Sequence, residues 1–316
     1  MAFDPEVENA DGPVIIFGEA MIELSNVTAG AADIGIAGDS YNTAVYLRRA
    51  GVPVSYVSGL GRDSFSARIT DNLHTEKIST DLMVTIDCKI PGLYAIETDD
   101  RGERSFHYWR SDSAARHFFT SAQADDILDK MKAARLFYLS GISLSLFGER
   151  EQDQLVELAK GIRARGGTVA FDTNYRPRGW ASAQAARRAI TALMPHVSLA
   201  LPTFEDEALL FGVISAEACA DQWLNAGAEE VVVKAGPSGA YAATQGATGQ
   251  WIAPLTVIEK PVDTTGAGDS FNGAYLAARV SGTPGPRAVI LAHEQAAKVL
   301  MTPGAIIRNE EALPGS

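Results

Sequence analysis

Between residues 263 and 271 the chain reads Asp263-Thr264-Thr265-Gly266-Ala267-Gly268-Asp269-Ser270-Phe271. These residue types at this spacing suit phosphate chemistry. Two glycines and an alanine leave the backbone uncovered, so an anion can approach it closely. A helix of small residues is expected to follow over 270–278, and a helix N-terminus offers N–H groups to such an anion. An aspartate in that turn repels phosphate. It is better suited to take a proton from the group that attacks the phosphorus. Gly266, Ala267 and Gly268 therefore read as an anion cradle and Asp269 as a general base, which together predict phosphoryl transfer to a hydroxyl. The plain alternative is a glycine-rich strand-to-helix connection with an acidic N-terminus. The flanking Thr264 and Thr265 weigh against it.

Four other segments carry candidate chemistry. Residues 231–239 (VVVKAGPSG) form an apolar strand running through Lys234 into a loop with Gly236, Pro237 and Gly239. Such a loop wraps a nucleotide with backbone groups, or is simply a tight turn. Asp172-Thr173-Asn174-Tyr175-Arg176 follows an apolar strand ending at Phe171. Residues at the C-terminal ends of parallel strands point into the crevice where α/β proteins bind ligands. Arg176 has the forked donors for a phosphate or a carboxylate; a capping Asp with a surface Arg is the other reading. Gly38-Asp39-Ser40-Tyr41-Asn42 precedes a helix expected over 42–50, so Asp39, Ser40 and Asn42 are also cap candidates. Last, Arg101, Arg104, Arg110 and Arg116 outnumber Glu103 and Asp112 around the aromatic run Phe106-His107-Tyr108-Trp109. Strand alternation puts Tyr108 and Arg110 on one face and Trp109 on the other. That face suits a polyhydroxy acid with Arg110 on its carboxylate; a solvated charge run is the usual alternative. His74, His196 and Met194 show no metal-ligand spacing.

These residues need a scaffold to meet. Short apolar strands are expected at 14–17, 54–57, 136–139, 169–171, 198–201 and 231–234, with helices such as 149–165 and 181–194 between them. Alternating strand and helix argues for a doubly wound, mainly parallel sheet with helices on both faces. Residues 90–110 break the rhythm with two alternating strands around a turn at Asp99-Asp100-Arg101-Gly102. With strands near 21–24 and 33–36, this hairpin is expected to form a small sheet over the edge of the main one. Residues 1–12 read as a loose tail.

Composition sets the outer limits. The 316 residues allow one large domain with a small appendage. A net charge of −12 and a pI near 4.9 argue against a nucleic-acid or anionic-membrane partner. Cys88 and Cys219 make no disulfide framework. The acidic start is no signal peptide, and no apolar run approaches a membrane span, so a cytoplasmic setting is expected.

Taken together, Gly18-Glu19-Ala20-Met21-Ile22-Glu23, residues 38–42, residues 263–269 and Pro303-Gly304-Ala305 resemble the ribokinase-like (PfkB) family of carbohydrate kinases over nearly the whole chain. The resemblance implies a single kinase domain over 1–316, with a lid of strands within 19–40 and 90–112. ATP would lie along the sheet edge and sugar under the lid. Within that family the chain is most similar to the 2-keto-3-deoxygluconate kinases, through residues 38–44, Gly92-Leu93-Tyr94, 102–104 with 107–110, and 172–176. By that similarity Gly38, Asp39, Asn42, Tyr94, Tyr108, Arg110 and Arg176 contact a sugar acid. Asn174, Arg176, Lys234, Gly236, Gly239, Gly266, Gly268 and His293 serve ATP. The family's Asn-x-x-Glu motif, which organises Mg²⁺, falls at Thr203-Phe204-Glu205-Asp206-Glu207 without its asparagine. Asp206 and Glu207 are then the expected Mg²⁺ partners, through water. Lid-mediated homo-oligomers are also implied. Kinases of the same fold for fructose, ribose, the galactonate-derived keto acid or a nucleoside stay open, as does a catalytically silent sugar-binding regulator.

Overall fold

The computed structural model describes residues 11–28, 30–98 and 104–308. Its strands, in chain order, are β1 (Val14–Phe17), β2 (Met21–Ser25), β3 (Asp33–Ala37), β4 (Ser55–Val57), β5 (Gly59–Leu60), β6 (Val84–Thr85), β7 (Leu93–Thr98), β8 (Arg104–Trp109), β9 (Leu136–Ser140), β10 (Thr168–Asp172), β11 (Leu199–Ala200), β12 (Glu230–Lys234), β13 (Ala240–Thr244) and β14 (Gln250–Ile252). The turn expected at 99–102 lies outside the described residues.

Strands that are apolar along their whole length must be covered on both faces, and β1, β9, β10 and β12 are buried at every residue. They sit inside an eight-stranded sheet of order β14-β13-β12-β11-β10-β9-β1-β4, parallel from β4 to β12 and antiparallel at β13 and β14. Alternation along each strand divides the core into two layers. Ile15, Phe17, Phe137, Leu139 and Phe171 pack with Leu155, Leu158 and Ile190 on one face. Val14, Ile16, Tyr138 and Ala170 pack with Ala44, Val45, Phe271 and Tyr275 on the other. Each large side chain buried this way contributes about 1.5–3 kcal/mol.

The path of the chain locates the crevice. From β1 it crosses to β4 on one side, then returns past β1 to β9 and steps outward through β10, β11 and β12. The crossovers change direction between β1 and β9, which is where a doubly wound sheet opens to a ligand. The second sheet, of order β3-β2-β7-β8, rises from the end of β1 as expected for a lid. One of its faces gathers Met21, Ala37, Tyr94 and Ile96 into a small cluster backed by Phe106. The helix expected from residue 42 begins earlier, as Asp39–Arg49, because Gly38 ends the lid strand and caps the helix. A Cβ on Gly38 would lie 2.3 Å from the carbonyl oxygen of Glu19, so the two connections between lid and body touch there. Among the described residues no helix is long and apolar enough to cross a membrane.

Candidate active site

The turn at 263–269 opens the helix Ala267–Val280, with Gly266 as its N-cap at φ 75°. That left-handed conformation favours glycine, and a Cβ there would meet Ala305 at 2.7 Å. Asp263 shapes the turn from below: its Oδ1 accepts from the Thr265 N–H (2.9 Å) and its Oδ2 from the Gly304 N–H (2.7 Å). Tyr46 donates to Ala305 O (2.9 Å), tying the same loop to the helix Asp39–Arg49. The amides of Gly268 and Asp269 thus sit in the first turn of a braced helix, where the helix dipole favours an anion.

Asp269, half-buried, accepts at Oδ2 from Asn42 Nδ2 at 2.8 Å. Asn42 is thereby bound to the carboxylate expected to act as base, and its Oδ1 has no hydrogen-bond partner among the described residues. Burial pushes the Asp269 carboxyl up to about 7, with the negative charge of Asp39 next in effect and the Asn42 bond opposing both. Asp39, raised mainly by burial, accepts at Oδ2 from Ser140 Oγ and from Asn174 Nδ2 (3.2 Å). Ser140, the last residue of β9, carried no signal in the sequence beyond the glycine that follows it.

Below the turn lies a closed polar network. Asp172 Oδ2 accepts from Lys234 Nζ (2.7 Å) and Asn272 Nδ2 (2.6 Å), while Lys234 also donates to Asn272 Oδ1 (2.9 Å). Lys234 and Asn174 are expected on the nucleotide; the structure turns both inward. Lys234 is 7% exposed, held by the buried carboxylate of Asp172. Its ammonium stands 3.9 Å from where a Cβ on Gly268 would be, a positive charge behind the anion turn. Asn174, at φ 31°, gives its amide to Asp39. Gly236 (φ 53°) and Gly239 (φ 102°) shape the loop after β12, at the same edge, and a Cβ on Gly239 would strike Ile252 O at 2.4 Å. His293 packs edge-on against Phe271, ring centroids 5.2 Å apart, and its burial holds it below the usual imidazole range.

The metal expectations part ways. Arg176 Nη1 pairs with both oxygens of Asp206, at 2.9 and 3.0 Å, on the rim. Glu207 is wholly buried, accepting from Thr173 Oγ1 and from Trp223 Nε1 (3.0 Å). Desolvation raises its carboxyl to about 7. A group enclosed like this does not reach a hydrated Mg²⁺, so Glu207 is an interior brace for the end of β10, and of the two acids expected at the metal Asp206 alone lies on the rim. No group of three or more acidic, His or Cys side chains able to hold an ion exists among the described residues.

In the lid, Tyr94 donates to Glu23, and its ring lies 5.6 Å from that of Tyr108. Tyr108 is directly paired with Tyr94 across the strands, and Trp109 with Leu93 on the other face. Arg110, just past β8, brings Nη2 to 2.5 Å from Glu19 Oε2. Gly38, Asp39, Asn42 and Asp269 therefore gather at the switch point, Tyr94, Tyr108 and Arg110 in the lid beside it, and Arg176 on the rim with Asp206.

A doubly wound sheet with a glycine-rich helix start and a half-buried carboxylate at its switch point, beside a small sheet of aromatic and basic residues, is an arrangement suited to phosphorylating a sugar. Residues 13–312 match the model of the pfkB family carbohydrate kinases, and the chain belongs to that family. It is an ATP-dependent carbohydrate kinase. A 2-dehydro-3-deoxygluconokinase from Dickeya dadantii is 40% identical over 299 residues, covering 93% of this chain and 96% of that one. One of the same name from Escherichia coli is 39% identical over 303 residues, covering 94% and 97%. The solved structure of a PfkB protein from Polaromonas sp. JS666 superposes with a TM-score of 0.81 at 28% identity, over 93% of this chain and 97% of that chain.

Proposed function

We propose that the protein transfers the γ-phosphoryl group of ATP to the terminal O6 hydroxyl of 2-keto-3-deoxy-D-gluconate, giving 2-keto-3-deoxy-6-phosphogluconate. The observation that carries the acceptor's class is Arg110, a guanidinium at the base of the lid, on the edge of the aromatic face formed by Tyr94 and Tyr108. A sugar acid has a carboxylate for it and a neutral sugar has none.

Asp269 takes the O6 proton as that oxygen attacks the γ-phosphorus, and the bond from phosphorus to the β-bridging oxygen breaks as ADP leaves. Asn42 aims the carboxylate. The first-turn amides and the helix dipole stabilise the negative charge on the transferring group, with Lys234 adding positive charge from behind. Gly236 and Gly239 expose backbone to the nucleotide, and His293 stands at the edge of that region. Mg²⁺, when bound, neutralises phosphate charge; it keeps most of its waters and needs only one or two carboxylates, a role Asp206 fits through water. Lid closure excludes water, which would otherwise compete as acceptor. Phosphorus NMR of the product tests the regiochemistry: a phosphomonoester coupled to the C6 protons is expected, and phosphate on a secondary hydroxyl contradicts the reading.

The base must be ionised to act. With its carboxyl raised to about 7, kcat is expected to climb as pH rises through about 7 and to fall about tenfold per pH unit well below it. A kcat flat between pH 5 and 8 in single-turnover experiments contradicts that assignment. Trp109 and Ile34 share one face of the lid and stand 62% and 40% exposed. This apolar surface supports assembly through the lid, which sedimentation of the Trp109→Glu variant checks: a shift to monomer is expected.

A further inference from the structure

The hinge between body and lid holds a pair of charges whose geometry is unusual. Glu19, in the link from β1 to β2, is 2% exposed. The Arg110 side chain, 18% exposed, approaches it to 2.5 Å. Yet among the described residues neither carboxylate oxygen of Glu19, nor Nε or Nη2 of Arg110, all of them shut off from solvent, makes a directed hydrogen bond. The attraction is between charges, with Nε and Nη2 enclosed beside the carboxylate and the side chain 18% exposed to the cleft as a whole. The surroundings leave the pair little freedom. A Cβ on Gly92 would lie 2.8 Å from Glu19 Oε1 and 3.1 Å from the Arg110 Cβ, so glycine is what admits both side chains. Arg116 donates from Nε to Arg110 O (2.9 Å) and from Nη1 to Leu146 O (2.9 Å). The second arginine therefore fixes the main chain of residue 110, while Glu19 fixes its side chain.

We propose that Glu19 is the positioning residue for Arg110: it holds the guanidinium at the junction of body and lid, oriented for the carboxylate of a sugar acid. This rests on the reading of Arg110 given above. An arginine past a strand end has many rotamers, and a buried cation without a partner turns to water. Glu19 removes both difficulties before substrate arrives. The expected signature is in substrate binding, not in the chemical step.

The test is a double-mutant cycle on the KM for 2-keto-3-deoxygluconate, using Glu19→Gln, Arg110→Gln and the double variant, with the KM for ATP and thermal unfolding read alongside. Glu19→Gln is expected to raise the sugar-acid KM about tenfold, with kcat changed less and the ATP KM unmoved. The double variant is expected to be no worse than Arg110→Gln alone, since a positioning residue has nothing to position once its client is gone. If Arg110→Gln raises the KM but Glu19→Gln does not, or if the Glu19 effect persists undiminished without Arg110, the role assigned to Glu19 is overturned and that of Arg110 stands. If Arg110→Gln leaves the KM unchanged, the reading of Arg110 itself fails. Should Glu19→Gln not fold, Glu19→Asp, which keeps the charge but withdraws it by one methylene, enters the same cycle under the same criteria.

Discussion

Asp269→Asn is expected to lower kcat by roughly 10²–10⁴, the usual contribution of a general base, which is about 2.7–5.4 kcal/mol of barrier. Asparagine keeps the shape of the side chain and an oxygen to accept from Asn42, whose amide lies 2.8 Å from Asp269 Oδ2. It removes a negative charge from a site already holding Asp39 and Asp172, so ATP and sugar should bind at least as well as before. The loss therefore belongs in kcat, with both KM values within a few-fold of wild type. Steady-state and single-turnover rates check this together. Turnover near that of wild type would return Asp269 to the role of a helix-start carboxylate and leave the site without a base.

The second large effect is in recognition. Arg110→Gln is expected to raise the KM for a sugar acid by roughly 10–100-fold, because a hydrogen bond to a charged group contributes about 1.5–3 kcal/mol. For fructose or ribose, which bring no carboxylate to residue 110, the KM should move by less than about threefold. The comparison across substrates is what makes the result specific: general damage to the hinge, where Arg110 faces Glu19, would weaken both classes alike. Equal losses for acid and neutral sugars contradict the role given to Arg110.

Much of this arrangement was legible in the sequence, and the line between what was and was not follows the range of the forces involved. The anion turn is local: Gly266 must be glycine because its own φ is 75° and Ala305 crowds it, and Asp269 stands two residues into the helix that begins at Ala267. The apolar runs of β1, β9, β10 and β12 announced a covered parallel sheet, since strands buried on both faces cannot alternate. The pairing of β7 with β8 followed from period two. Side-chain direction was less legible. Lys234 reads as a nucleotide ligand until Asp172, distant in the chain, is found to hold its ammonium under the turn. Glu207 reads as a metal-side acid until Thr173 and Trp223 are seen to enclose it. Glu19 and Arg110 meet only because lid and body share a hinge. Each of these depends on a long-range charge or hydrogen-bond partner, and no window of residues contains both members.

The most direct test of the account is kcat/KM for ATP consumption across 2-keto-3-deoxygluconate, its galactonate epimer, fructose, ribose and adenosine. A site built to bind a charged group discriminates strongly against analogues that lack it. The value for 2-keto-3-deoxygluconate is therefore predicted to exceed those for fructose, ribose and adenosine by at least about 10²-fold. A value for fructose, ribose or adenosine equal to or above that of the sugar acid would contradict it.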